Sequence, residues 1–507
     1  MDILISDVEQ PYDDISEYVS IDVINGLVEV SVTDNHKGDR SVQNYVTSLR
    51  TKYPGKVNIK FTTMDVIASQ NEKKEININS GKSELNANQR KVLSYIATVE
   101  RMGASDLHIT PGRDSSDFTY VETRVHGELE VIDVIKRDEG FELLGTAYAM
   151  SDVMKGTQFD AKVPQDARIA ETYLKHAGVF AVRYSHYPCV GGLYAVMRLI
   201  KNDSDNIPTF EQLGYLPEQT QLIRKTLTRP EGIVMLSGPT GAGKSTTLRT
   251  AADAYLSQYG FNDNSSGILL PRKRLLTIES PPEGKIGGAI QTAVTDTPAA
   301  WVEAIKAAMR LDPDGILNGE IRDNSSAIAA IKAAMTGHLM LTTVHANDAI
   351  NIIERLEMEG VQARLIADPL LFIGLMSQRL VQKLCPHCKQ KYDVARAKLT
   401  DENKKLVETY CNADDVFLRN YDGCDSCHRG VTGRTVIAEV IAPDATFFRL
   451  YRKEGRVEAK TYWHRELGGI TRNQHLLRLV NSGTVDPLTA HPVSPIDEDS
   501  YSLLSSS

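Results

Sequence analysis

One segment limits the fold of this chain more than any other: residues 231–250, EGIVMLSGPTGAGKSTTLRT. An apolar run leads into a glycine-rich loop, and the loop leads into a pattern typical of a helix. Gly238, Gly241 and Gly243 permit a tight backbone curl whose N–H groups converge, and the N-terminus of the helix adds a partial positive charge. This context predicts a phosphate-binding loop rather than a glycine turn that binds nothing.

Two side chains that follow the glycines carry the chemistry of this loop. Lys244 is expected to reach the β- and γ-phosphates of a nucleoside triphosphate, and Ser245 to hold a Mg²⁺ ion. The sequence thus predicts a site for ATP and Mg²⁺, whose candidate residues are Gly238, Pro239, Thr240, Gly241, Ala242, Gly243, Lys244, Ser245 and Thr246.

Three further apolar runs follow the loop, and each ends at a polar side chain. The runs end at Glu279, Glu320 and His345, just as the first run ends at Ser237 before the loop. Two of the three intervals between the four ends carry an apolar stripe with the period of a helix. Strands that alternate with helices predict an α/β fold with a mainly parallel sheet and helical crossovers.

The ends of these runs predict a catalytic site, because ligands of such sheets lie beyond the carboxyl ends of the strands. Glu320 is the candidate to orient an attacking water, Glu279 to assist it or a Mg²⁺-bound water, and His345 to sense the γ-phosphate. For each acid the alternative is a solvated strand end. His338 is either a site residue or merely the start of its strand.

Charge and hydropathy disfavour two classes of protein. The 507 residues carry a net charge of -9, which is not typical of a nucleic-acid-binding protein, although a local basic groove is compatible with it. Residues 1–18 lack the basic start and apolar core of a signal peptide, which predicts a cytosolic location. The apolar run 365–376 is short for a membrane span and contains Asp368, so we expect any membrane contact to be peripheral.

Changes in composition divide the chain into domains. Alternating residues on both sides of Asn25-Gly26 and a helical stretch after them predict a small α/β unit whose role the sequence does not indicate. Polar segments predict linkers and a tail. The predicted organisation is a unit 1–75, a linker 76–90, a second domain 91–200, a linker 201–210, a nucleotide-binding domain 211–483 and a tail 484–507.

The second domain carries charged residues in distinctive segments. They lie in ASDLHI, TRVHG and PQDARI, and Arg183 and Arg198 flank the run YSHYPCVGGLYAVM. Taken alone, such residues are usually strand-end charges in water. The residues themselves therefore leave their role open.

Five of the six cysteines lie near the C-terminal end. Cys385 and Cys388 form one C-x-x-C pair, and Cys424 and Cys427 form a second. Four thiolates can surround Zn²⁺ in a closed tetrahedral site, and clustered cysteines in a reducing compartment favour a metal over disulfides. The spacer is longer than in common zinc ribbons, so unmetallated thiols stay an alternative, as do substitute ligands among His387, Cys411 and His428.

Together these motifs resemble a known family, the secretion ATPases of type II secretion and type IV pilus assembly. GPTGAGKSTTL, TIESPPE, GEIRD and TGHLMLTTVHANDA are similar to its nucleotide-site motifs. ASDLHI, RVHG and PQDARI resemble its second N-terminal domain, and LCPHC with CDSCHRGVTGR resembles its cysteine motif. The resemblance covers roughly residues 90–480.

The resemblance implies a RecA-like core preceded by a smaller PAS-like α/β domain, in a homo-hexameric ring ATPase. It places ATP between the two domains of each subunit, with Arg183 and Arg198 against the triphosphate. It also implies a cytoplasmic ring that is peripheral on the inner membrane, docked on a polytopic platform protein. The tetracysteine insertion 385–427, with structural Zn²⁺, is that of assembly-type rather than retraction-type members.

The chain departs from the family pattern at three positions. Ser280 and Pro282 stand where the family usually has an aspartate and an aliphatic residue, and Ala167 stands in place of a glycine. These departures weaken a direct magnesium role for the box that contains Glu279, and bear less on Glu320.

The leading hypothesis is ATP hydrolysis that powers assembly of a type IV pilus by extruding pilin-like subunits. The compact N-terminal region favours this over type II secretion. The paired C-x-x-C motifs disfavour a retraction- or conjugation-type ATPase, and Lys244, Glu320 and His345 disfavour a nucleotide-gated scaffold without hydrolysis. A motor that pumps DNA is a further alternative, which the acidic total charge disfavours.

Overall fold

The structure is a computed structural model in which the chain forms two compact units, Met1–Arg90 and Lys91–Ser507. No helix among the residues it describes is long and apolar enough to cross a membrane. The predicted linkers 76–90 and 201–210 lie partly outside those residues. The described residues are 15, 18–24, 27–33, 36–63, 85–154, 158–174, 177, 179–201, 207–258, 260–262, 269–295 and 297–497.

The first unit contains a three-stranded sheet and a helix. Its elements are β1 (Val19–Ile24), β2 (Leu27–Thr33), α1 (Arg40–Lys52) and β3 (Val57–Thr62). β1 and β2 pair antiparallel, and β2 and β3 pair parallel. Since parallel neighbours need a crossover, α1 supplies it, and its buried residues Val42, Tyr45 and Leu49 belong to the core of the unit.

The second unit begins with an antiparallel sheet covered by helices. Its elements are α2 (Ala87–Arg101), which begins just before the boundary between the units, β4 (Asp106–Pro111), β5 (Phe118–Val125), β6 (Glu128–Lys136), α3 (Arg137–Ala149), β7 (Ser151–Met154), β8 (Gln165–Ile169), α4 (Glu171–Leu174), β9 (Val179–Cys189) and β10 (Gly192–Lys201). The strand order is β6-β5-β4-β10-β9-β8-β7. Val92 and Ile96 of α2 and Leu143 of α3 pack with Leu107 and Ile109 of β4.

The second sheet of this unit is the predicted parallel one. Its strands are β11 (Gly232–Ser237), β14 (Leu275–Glu279), β15 (Ile290–Ala293), β16 (Gly315–Asn318), β17 (Leu339–Val344), β18 (Phe372–Leu384) and β21 (Val431–Ile441), and a separate ribbon pairs β12 (Gly260–Asn262) with β13 (Leu269–Pro271). The order is β15-β14-β16-β17-β11-β18-β21, parallel except that β21 is antiparallel to β18. The predicted α/β fold is confirmed.

Helices cover both faces of this sheet. They are α5 (Phe210–Leu213), α6 (Pro217–Leu227), α7 (Lys244–Gln258), α8 (Pro298–Ala308), α9 (Asn324–Met335), α10 (Asn351–Met358) and α11 (Ala363–Ile366). Successive residues of β11 alternate between two cores, Ile233 and Met235 in one, Val234 and Leu236 in the other. Burial on both faces explains why the strands are unbroken apolar runs.

The cysteines lie in an insertion between β18 and β21, residues 385–430, which we call the tetracysteine module. It contains β19 (Gln390–Lys391), α12 (Tyr392–Ala395), α13 (Asp401–Tyr410) and β20 (Phe417–Leu418), and β21 is followed by α14 (Ala445–Glu454), α15 (Arg456–Arg465), α16 (Arg472–Asn481) and α17 (Pro487–Ala490). Val407 of the module shares a core with Leu476, Val485 and Ile496. Part of the segment predicted as a tail therefore packs on the module.

Candidate functional site

The glycine-rich loop lies between β11 and α7, as the sequence predicts. β11 ends at the fully buried Ser237, and α7 begins at Lys244. The three glycines have φ values that other residues rarely adopt, which are 154° at Gly238, 78° at Gly241 and 81° at Gly243. Pro239 and Thr240 are exposed at the tip. The backbone thus has the curl that a phosphate cradle requires.

Lys244 lies over this loop. Its Nζ donates to the carbonyl oxygens of Gly238 at 2.7 Å and Pro239 at 3.2 Å. Burial lowers the pKa of Lys244, while the carboxylates of Glu320 and Glu283 act in the opposite direction. The ammonium group therefore lies within electrostatic range of two acids beyond the sheet edge.

Glu320 and His345 come from consecutive parallel strands and meet in the structure. Glu320 Oε1 lies 2.7 Å from His345 Nε2, and Glu320 Oε2 accepts from Arg322 Nε at 2.7 Å. The buried Asn318 at the end of β16 donates its Nδ2 to the backbone oxygen of Glu320 at 3.0 Å. The carboxylate is thus held between a histidine and an arginine at the carboxyl edge of the sheet.

Glu279, at the end of β14, is more enclosed. Its side chain belongs to the buried polar residues, and Oε1 accepts from Thr277 Oγ1 at 2.6 Å and from Gln291 Nε2 at 3.3 Å. Two neutral donors already occupy this oxygen. Glu320, with a side chain 18% exposed, is the more accessible candidate to orient water.

The two predicted arginines lie side by side but differ in their contacts. Arg183 of β9 is directly opposite Arg198 of β10, and Arg183 Nη2 donates to the carbonyl oxygen of Ser280, beyond β14, at 2.6 Å. Arg198 Nε instead pairs with Asp106 at 2.8 Å in its own domain. Sequence reasoning missed Arg168, which faces Arg183 from β8. The segment PQDARI held the signal, but only strand pairing aligns the three arginines.

His338 lies away from this group. It directly precedes β17, at the opposite edge of the sheet from His345, and its Nδ1 is 2.8 Å from the carbonyl oxygen of Ala333. Of the two interpretations, the structure supports a residue that begins its strand.

The four paired cysteines form a compact cluster. Their sulfur atoms all lie within 4.8 Å of one another. The Sγ atoms of Cys385 and Cys424, and those of Cys388 and Cys427, are 3.7 Å apart. In a tetrahedral site with Zn–S bonds of about 2.3 Å the sulfurs are about 3.8 Å apart. The cluster therefore fits Zn²⁺.

The residues that neighbour the cluster agree with this ligand set, while the pKa shifts of the thiols differ. Burial acts to raise the pKa of Cys385, but N–H groups of His387 and Cys388 and the other thiols lower it to about 7, whereas burial and the other thiols raise the pKa of Cys388 to about 12. Cys411 lies outside the cluster, and burial raises its pKa to about 11. His428 Nε2 contacts Glu130 Oε1 at 2.6 Å instead. The substitute ligands are not needed.

A contact between the second domain and the tetracysteine module was not predicted. Arg419 of the module binds Glu128 of β6 with both ends of its guanidinium group, at 2.5 and 3.1 Å. The Arg419 side chain is 2% exposed, and Gln382 of β18 also contacts Glu128, at 3.1 Å. With His428 and Glu130 these residues form what we call the hairpin clasp.

Comparison with known proteins gives related sequences and folds. The chain is 33% identical over 362 residues to the type II secretion system ATPase E of Vibrio cholerae, covering 70% of this chain and 65% of that one. It is 34% identical over 361 residues to the type IV pilus assembly ATPase PilB of Thermus thermophilus, covering 71% and 37%. The matched part thus spans less than two thirds of these two relatives. The type II secretion system protein E of Pseudomonas aeruginosa is 31% identical, covering 76% and 71%.

Solved structures share the fold. The pilus retraction motor PilT with bound ADP matches 83% of this chain and 100% of its own at a TM-score of 0.53 and 24% identity. The ATPase DotB of Legionella pneumophila matches 79% and 94% at a TM-score of 0.51 and 18% identity. The family model described as "Type II/IV secretion system protein" matches residues 83–486, which is most of the chain. The chain therefore belongs to the type II/IV secretion system protein family.

Proposed function

We propose that this chain hydrolyses ATP and uses the energy for mechanical work in assembling a type IV pilus. The proposal of ATP hydrolysis depends on one observation. The loop before α7 lies at the same edge of the parallel sheet as Glu279, Glu320 and His345. Each side chain comes from a different strand end, where ligands of such sheets bind. The names of the relatives support ATPase activity.

The residues divide the work by position. The loop amides and Lys244 would bind the phosphates, and Ser245 would hold Mg²⁺, which neutralises phosphate charge when bound. Glu320 orients water, while His345 and Arg322 hold the carboxylate in place. We assign Arg183 the role of linking the second domain to the site, because its Nη2 donates to the carbonyl oxygen of Ser280.

Glu320→Gln tests this assignment. The variant keeps the size of the side chain but removes the base, so we expect the rate of phosphate release to fall at least about 100-fold while nucleotide binding persists. Glu303→Gln is the matched control, because Glu303 is an exposed residue of α8 paired with Lys306. A Glu320→Gln variant with normal turnover would place the base elsewhere, with Glu279 next to be tested.

The wider assignment is a homo-hexamer on the cytoplasmic face of the inner membrane, attached to a polytopic platform protein, with no nucleic-acid partner. The tetracysteine cluster supports an assembly-type motor with structural Zn²⁺. Mass measurement of the purified protein, with and without nucleotide, tests the ring. Salt titration of DNA binding tests the absence of a nucleic-acid partner, because a DNA motor would show steep salt dependence.

Type II secretion is the second candidate, because two of the relatives above carry that name. Deleting the gene in its native organism separates the two. Loss of surface pili with normal export of secreted enzymes supports pilus assembly, whereas the reverse result supports type II secretion.

A further inference from the structure

Gln378 lies in the middle of β18, beneath the glycine-rich loop, and is completely buried. A buried amide must satisfy both its oxygen and its nitrogen, or its burial costs free energy. Its partners therefore show what this residue holds in place.

The Gln378 side chain has partners in the glycine-rich loop, in the helix that follows it and after α5. Its Nε2 donates to the carbonyl oxygen of Ala242, in the loop, at 2.6 Å. Its Oε1 accepts from Thr247 Oγ1 of α7 at 2.9 Å and from the Tyr215 hydroxyl at 2.5 Å. A carbonyl oxygen can only accept, so the amide nitrogen must face Ala242 and the oxygen must face the two hydroxyls.

The loop also lies closely on β18. A Cβ atom on Gly238 would be 2.6 Å from the carbonyl oxygen of Gln378, and one on Gly243 would be 3.3 Å from Gln378 Nε2. Gly238 is thus required by the close approach to this strand as well as by its backbone angle, and at Gly243 the contact with Gln378 is tight.

The hydrogen bond from Gln378 to the Ala242 carbonyl also fixes the direction of the next N–H group, that of Gly243. In a planar trans peptide the carbonyl oxygen and the following N–H point in opposite directions. Because Gln378 holds the Ala242 oxygen toward β18, the N–H of Gly243 points away from the strand. That is the direction in which a loop amide can meet a phosphate oxygen.

We infer that Gln378 is a positioning residue for nucleotide binding, which aims the Gly243 N–H by holding the Ala242 carbonyl, and that Tyr215 and Thr247 orient its amide. This inference rests on the proposed function. Tyr215 follows α5, just after the segment that joins the two domains of the second unit. Through Tyr215, the chain just after that segment is therefore hydrogen-bonded to Gln378, the residue that supports the loop.

The test is nucleotide affinity, measured by equilibrium titration with fluorescent ADP, together with kcat and KM. Gln378→Met keeps the length of the side chain but removes the amide, and we expect the Kd and KM to rise about tenfold with a smaller change in kcat. Gln219→Met is the matched control. Gln219 is also buried and donates to a backbone carbonyl, that of Ala438 at 2.8 Å, away from the loop.

The outcomes separate the inference from the proposed function. A Kd within about twofold of wild type in Gln378→Met, or an equal rise in Gln219→Met, overturns the positioning role. A wild-type protein that binds no nucleotide overturns the proposed function instead. If Gln378→Met does not fold, Tyr215→Phe carries the test. It removes one donor to the amide, so the Kd should rise about threefold, and an unchanged Kd overturns the inference.

Discussion

Acidification should destabilise the domain with the parallel sheet through one buried histidine, His475 of α16. Its ring is fully buried, Nδ1 accepts from the backbone N–H of Ala438 at 3.1 Å, and Nε2 lies 3.1 Å from the carbonyl oxygen of Gly214. Because Ala438 donates, the proton of the neutral ring is on Nε2. Burial lowers the pKa of His475 from 6.5 to about 4. A second proton would have to enter at Nδ1, against the N–H of Ala438.

The sign and size of the effect follow from this shift. The unfolded chain takes up a proton at His475 near pH 6.5, and the folded chain does so only near pH 4. The contribution of the neutral His475 to the free energy of unfolding is therefore fully present above pH 6.5 and is lost as the pH falls toward 4. The full loss is about 3 kcal/mol, and about 2 kcal/mol of it occurs between pH 8 and pH 5.

This loss of stability can be measured by urea unfolding of the wild type and of His475→Gln at several pH values. The two tryptophans, Trp301 and Trp463, both lie in the core of this domain, so their fluorescence reports its unfolding. Other titrating groups cancel in the difference between the two proteins. We expect the advantage of wild type in the free energy of unfolding to shrink by about 2 kcal/mol from pH 8 to pH 5. A difference that does not change with pH would refute the reasoning.

Two further predictions concern the tetracysteine module. Cys388→Ser should reduce the zinc content from about one ion per chain to near zero, measured by elemental analysis, while Cys411→Ser should retain it; equal zinc in both would contradict the ligand set. Glu128→Gln leaves the buried guanidinium of Arg419 without its anion, so we expect the free energy of unfolding to fall by about 1–2 kcal/mol. This is less than for a fully buried ion pair, because the glutamate is 43% exposed and solvent screens its charge. In a double-mutant cycle with Arg419→Met, a coupling near zero would show that the pair of Arg419 and Glu128 contributes nothing.

The parallel sheet was predictable because its signals are local. Four apolar runs end at polar residues, and strands buried on both faces have no polar alternation to mislead. The same logic placed Glu320 and His345 at one edge, and the four cysteines could be grouped by their spacing. The direct contact between Glu320 and His345 depends on the register of β16 and β17, which the sequence does not encode in any local pattern.

Contacts between distant parts of the chain were beyond sequence reasoning. Arg419 and Glu128 are 291 positions apart, and Gln378 and Tyr215 are 163 positions apart. Nothing in the sequence near Gln378 or Arg419 distinguishes either of them from an ordinary polar residue. Their roles follow only from the packing of the two domains and of α5 against the sheet.

β18 sets a fixed spacing between parts of the molecule that do different things. Its side chains alternate between faces, so Gln378, Leu380 and Gln382 point the same way, toward the loop and then toward the hairpin clasp, and the strand ends at Leu384, directly before the first cysteine. At about 3.3 Å per residue, the end of the strand lies about 20 Å from the support of the loop. A single inserted codon between Gln378 and Gln382 would turn one of these glutamines to the wrong face, whereas two codons would keep the face and lengthen the spacing by about 7 Å. A change in the length of this strand therefore alters either the face on which its side chains lie or the distance between the loop and the tetracysteine module, which a substitution at one position does not.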